Sequence, residues 1–145
     1  MANITRVLVP LDLGQSSGPT LDYARTLARP FRASLVLMHV VPNPYVTSAS
    51  EVYIPPPQQF LETIQRDARS ALDGLLTDAD RAEFKAETVV RVGDPVAEIV
   101  EYARVRPVDL IVMGTHGRTG VAHLVLGSVA ERVVRTAPCP VLTIR

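Results

Sequence analysis

The chain has 145 residues, fifteen basic side chains balanced by fifteen acidic ones, and 47% hydrophobic against 21% charged residues. That is the composition of an ordinary globular protein, and one domain of this length buries roughly 68–70% of the surface its unfolded chain exposes, without needing a disulfide or a metal. A balanced charge leaves no long-range field to gather nucleic acid or an anionic membrane, and the single Cys139 excludes an internal disulfide.

No N-terminal charged segment precedes a long apolar run, and no stretch approaches the roughly 18 apolar residues of a membrane span, so a cytoplasmic protein is expected. Cys139, between Pro138 and Pro140, reads as a small buried hydrophobe rather than a reactive thiol. Lys85 is the lone lysine, which leaves almost no candidate for a phosphate-gripping or Schiff-base lysine.

In chain order, short runs rich in Val, Ile and Leu at 7–9, 34–41, 108–113 and 141–144 predict strands buried on both faces, as parallel strands are. A fifth at 86–92 alternates more and belongs nearer an edge. Between them the period becomes helical. Leu21, Ala24, Leu27, Ala28 and Phe31 share a face, preceded by Ser16 and Ser17 as candidate caps and by Pro19. The longest helix is expected over 58–76, with Phe60, Leu61, Ile64, Ala68, Ala71, Leu72 and Leu75 on one side. Asp94 and Pro95 open a third helix that ends before Pro107, and Ser128 with Glu131 forms the capping-box pattern of the last. The fold class is therefore α/β: a single three-layer domain with a five-stranded parallel sheet and helices on both faces. The proline-rich stretch at 42–57, with Tyr45 and Tyr53, is either a flap over the strands' C-terminal ends or a long surface loop.

Ligands of open α/β sheets sit outside the carboxyl ends of the strands, where the strand order reverses. Here the first and fourth strands should flank that point, bringing Pro10, Leu11 and Asp12 close to Met113, Gly114, Thr115, His116 and Gly117. Gly127 and Ser128 then open the last helix, whose amides and dipole favour phosphate oxygens. The glycines serve either as plain turn residues or as the ligand loop, and Asp12 either caps its own turn or meets the ligand. No lysine follows the glycines, which excludes a Walker A loop, and their place after the fourth strand excludes the dinucleotide fingerprint. His39 reads as a satisfied strand residue, His116 as a backbone contributor within the glycine motif and His123 as a surface residue. No histidine pair has metal-site spacing, and no Ser, His and Asp set has a triad order.

Gly114, Gly117, Gly127 and Ser128 stand at the spacing G-x-x-G-x9-G-[ST], and with the strands ending at Asp12, at Val40 and at Ile144 the chain resembles the universal stress protein family, in its ATP-binding branch. The resemblance spans essentially all of residues 1–145 as one domain of that family, weakest over 42–81. It implies a Rossmann-like, adenine nucleotide alpha hydrolase-like fold that binds ATP, AMP or ADP as a stress-response regulator or sensor with at most slow hydrolysis. It implies further that Asp12 meets the ribose and a phosphate-bound Mg²⁺, with Pro10 and Leu11 beside the adenosine and Val40 against adenine. Met113 and Gly114 would line the nucleoside pocket, Thr115, His116, Gly117 and Arg118 would wrap the phosphates, and Gly127, Ser128 and Val129 would hold them from the helix start. A homodimer through Val141, Leu142, Thr143 and Ile144 is the expected assembly, with a nucleotide-free dimeric interaction module as the alternative.

Overall fold

Successive side chains of a strand point to opposite faces, so a strand with both faces covered buries every one. In this computed structural model, which describes residues 3–43, 57–115 and 126–145, strand β1 (Arg6–Pro10) sends Val7 and Val9 into one apolar cluster and Leu8 into another. Each such side chain contributes roughly 1.5–3 kcal/mol by its burial.

The remaining elements follow in alternation: α1 (Ser17–Ala28), a 3₁₀ turn (Arg29–Phe31), β2 (Ser34–Val41), α2 (Gln58–Leu75), α3 (Asp78–Phe84), β3 (Glu87–Val92), α4 (Pro95–Val105), β4 (Leu110–Gly114), α5 (Ser128–Thr136) and β5 (Val141–Ile144). Leu35 and Leu37 of β2 join Val7 and Val9 beneath Leu21 and Ala24 of α1, Leu72 of α2 and Phe84 of α3. Val36 and Met38 join Leu8 on the other face, beneath Val96 and Ile99 of α4 and Ala130 and Val133 of α5. These two clusters make the three layers that the alternation of strands and helices predicts.

The described strands form one parallel sheet in the order β3-β2-β1-β4-β5. The order runs outward from β1 in both directions, so the reversal lies between β1 and β4 as expected. The half-buried β3 and the four-residue β5 are the two edges. At the N-terminal end of the crevice Asp109 ties the two central strands together. Its Oδ2 accepts from the Thr5 amide at 2.8 Å, the Thr5 hydroxyl at 2.7 Å and the Arg6 amide at 3.0 Å. Desolvation works to raise the Asp109 pKa, but these hydrogen bonds outweigh it and the net shift is downward.

Three local expectations differ from the structure. Helix α3 was not anticipated between the helix expected over 58–76 and the strand expected over 86–92; it is started by a reciprocal cap in which Thr77 Oγ1 accepts from the Asp80 amide at 3.0 Å and Asp80 Oδ2 accepts from the Thr77 amide at 2.9 Å. Phe31 is not on the buried face of α1: Pro30 accompanies a change to 3₁₀ winding, and the ring is 46% exposed. Ser128 is the first residue of α5 rather than its cap; Gly127 takes the cap position and the expected capping box does not form.

Candidate functional site

Strands β1 and β4 register only at Val7 with Leu110 and Leu8 with Ile111. Beyond those pairs, towards the carboxyl ends, the crevice widens into a cavity of about 520 Å³, within the usual range for a small-molecule site. It is lined by Pro10 at the end of β1 with Leu11 and Asp12 beyond it, Val40 near the end of β2, and Met113 and Gly114 at the end of β4 with Thr115 beyond them. Gly127, Ser128 and Val129 form the far wall. All ten of these residues were named from the sequence, and one cavity brings them together. The other three, His116, Gly117 and Arg118, lie outside the described residues, as do His123, Tyr45 and Tyr53.

The two halves of the glycine motif meet through the backbone. Gly127 donates its amide to the Thr115 carbonyl, so the chain that leaves β4 returns to the same spot before α5 begins. The first i to i−4 bond of α5 runs from the Glu131 amide to the Gly127 carbonyl at 2.9 Å. The amides of Ser128, Val129 and Ala130 precede it, and the N-cap residue, Gly127, makes no side-chain cap. Such an end attracts an anion through its amide hydrogens and through the helix dipole. Gly127, by contrast, has its amide engaged; its φ of −57° and ψ of 154° are open to any residue.

Asp12 does cap its own turn: Oδ1 accepts from the Gly14 amide at 2.8 Å, and Leu13 between them takes a left-handed φ of 65°. His39 is satisfied as expected. Its Nδ1 lies 2.7 Å from the Leu11 carbonyl oxygen, which can only accept, so Nδ1 donates the hydrogen. This bond pins the β1 to α1 turn against β2. Leu11 is held a second time by its own amide, which donates to the Met38 carbonyl at 2.8 Å.

The cavity walls differ in chemistry. Met38, Val40, Ile99, Met113 and Ala130 belong to the apolar cluster under α4 and α5, and Pro95 continues that surface. The opposite wall carries Ser16, Ser17, Thr20 and His39 around the start of α1. Sequence reasoning missed Ser17 and Thr20 as wall residues, treating Ser16 and Ser17 only as possible caps. The signal lay in the helical phase, since Ser17 extends the buried stripe of Leu21, Ala24 and Ala28 by one turn. Ser16 holds the N-cap position of α1 without a side-chain capping hydrogen bond.

Among the described residues no group of three or more His, Cys, Asp or Glu could hold a metal ion, and no helix is long and apolar enough to cross a membrane. Cys139 is half-buried against the α4 and α5 cluster, and burial, then the charge of Asp109, push its thiol pKa up, away from reactivity.

The universal stress protein family model matches residues 3–145. Universal stress protein MJ0531 of Methanocaldococcus jannaschii is 34% identical over 141 residues, covering 97% of this chain and 81% of the relative. Among solved structures, that of the hypothetical protein MJ0577 superposes with a TM-score of 0.82 at 25% identity, over 98% of this chain and 96% of that one. A universal stress protein solved in complex with cAMP superposes with a TM-score of 0.62 at 26% identity, over 99% and 98%.

Proposed function

This chain belongs to the universal stress protein family, and from that membership we propose that it binds an adenine nucleotide, ATP or its ADP and AMP forms, as a nucleotide-dependent regulator or sensor in a stress response. The observation that carries the reading is the meeting of Thr115 with Gly127, which sets the start of α5 on the wall of the β1–β4 cavity. In this reading the phosphates lie against the amides of Ser128 and Val129, with Thr115, His116, Gly117 and Arg118 around them. Adenine packs on the apolar surface of Val40 and Met113, and the sugar lies over Pro10, Leu11, Asp12 and Gly114. The structural relative solved with cAMP supports an adenine-containing ligand.

A Mg²⁺ accompanying the phosphates would rest on phosphate oxygens and Asp12, since the described residues offer no larger donor set. Asp12 already accepts one amide hydrogen bond, and His39 is committed to Leu11 through Nδ1. The reading is therefore of binding rather than rapid turnover. The assembly proposed with it is a homodimer paired along β5, the outer strand on which Leu142 is 36% exposed.

The test is to denature protein purified without added nucleotide, analyse the released small molecules, and titrate the emptied protein with Mg-ATP by calorimetry. Released ATP, ADP or AMP, or saturable heat, is the expected result. No release together with a flat titration overturns the reading in favour of a nucleotide-free interaction module.

A further inference from the structure

Ser17 opens α1 on the polar wall of the cavity and is 4% exposed. Its Oγ is the one buried side-chain polar atom among the described residues that has no hydrogen-bond partner. Leaving a buried hydroxyl unpaired costs stability, and such a group in a native fold calls for an explanation. None of the hydrogen bonds of the adjoining turn uses the Ser17 hydroxyl. The Ser17 amide donates to the Gly14 carbonyl at 3.1 Å, the Gly14 amide to Asp12 Oδ1 at 2.8 Å, and His39 Nδ1 to the Leu11 carbonyl at 2.7 Å. A hydroxyl carries one hydrogen and two lone pairs, so its natural partner is a group that can both donate and accept.

Strand order says which part of a nucleotide comes nearest. Apolar Val40 lies near the end of β2, and the start of α5 follows β4; β1 lies between those two strands. A base on β2 and phosphates on α5 leave the sugar over the end of β1, and α1 is the element that β1 leads into. Resting on the nucleotide reading above, we propose that Ser17 is a specificity residue for ribose, its Oγ exchanging a hydrogen bond with a sugar hydroxyl so that the site prefers ribonucleotides to deoxy analogues. A site built around such a bond rejects the analogue lacking the hydroxyl because its own polar group is then left unpaired.

The experiment is calorimetric titration of wild-type protein and Ser17→Ala with ATP, 2′-deoxyATP and 3′-deoxyATP, together with thermal unfolding of both proteins free of nucleotide. Wild-type protein should bind one of the two deoxy analogues about tenfold more weakly than ATP. Ser17→Ala should bind ATP at that weaker level and lose the preference. Without nucleotide it should unfold no lower than wild type, because the substitution removes only an unsatisfied group. Ser17→Cys, close in size but a weak donor, should lose the preference as well. Equal affinity of wild-type protein for all three nucleotides, or a preference retained in both variants, overturns the proposal while leaving nucleotide binding intact. Failure of all three to bind wild-type protein overturns the nucleotide reading itself.

Discussion

Arg25 meets Asp80 with two parallel hydrogen bonds, Nε to Oδ1 at 2.8 Å and Nη2 to Oδ2 at 2.6 Å. The pair fastens α1 to α3, and the Asp80 side chain is only 6% exposed. The guanidinium, helped by the Thr77 amide and against the pull of desolvation, lowers the Asp80 pKa from 3.8 to about 2. Asp80 therefore contributes stability that is fully present above about pH 4 and is lost as pH falls through about 2, an effect of about 2 kcal/mol. Asp80→Asn should lower stability at pH 7 by roughly 2–4 kcal/mol, since it weakens both the ion pair and the helix cap. In urea unfolding the gap between variant and wild type should shrink from pH 5 to pH 2.5. A gap constant across that range would show that the carboxylate charge is not the cause.

Gly127→Val tests the space at the start of α5. The backbone angles there suit valine as well as glycine, so far-ultraviolet circular dichroism should be unchanged. The added side chain stands at the wall where the phosphates would lie in the proposed reading, and Mg-ATP affinity should fall by at least about a hundredfold, an effect of about 3 kcal/mol. Unchanged affinity would remove the phosphates from this helix start.

Gly93 has a φ of +152°, between β3 and α4, and a Cβ built there would stand 2.8 Å from Glu98 Oε1. The carboxylate is the far end of a flexible side chain and can swing away, whereas the backbone angle cannot be relieved so easily. Gly93→Ala should therefore cost roughly 1–3 kcal/mol in thermal or chemical unfolding. Adding Glu98→Ala should return little of it. Full recovery in the double variant would make the clash, not the backbone, the cause.

Leu142→Glu puts a charge at an exposed position of the outer strand β5. Light scattering coupled to size exclusion should report a dimer for wild-type protein and a folded monomer for the variant. A variant that stays dimeric would place the contact elsewhere.

The layers and the crevice were legible in the sequence because parallel strands buried on both faces read as unbroken apolar runs. The run at 34–41 coincides with β2 itself. The alternation at 86–92 likewise identified the edge strand β3, whose side chains are half-covered. Helix α3 escaped because seven residues hold too few turns to show a period and its cap uses Asp80 where Glu or Gln marks the usual pattern. Ser128 misled for a related reason. Its spacing to Glu131 satisfies the capping box, but the backbone bond from Gly127 to Thr115 places the helix boundary one residue earlier. Ser17 was visible only as a cap, since no pattern of residue types says that a buried hydroxyl will lack a partner.

The early end of pairing between β1 and β4 has a mechanical meaning. β1 keeps its register with β2 from Arg6 to Pro10, but with β4 it stops at Leu8. The single sheet is thus paired over the shortest register at its centre, between β3-β2-β1 on one side and β4-β5 on the other. A nucleotide bound as proposed would touch residues of β1 and of β4 at once. Its occupancy would slow the amide exchange of β4 and β5 along with that of β1, so that the chain would report its ligand as a change in how firmly its two halves move as one.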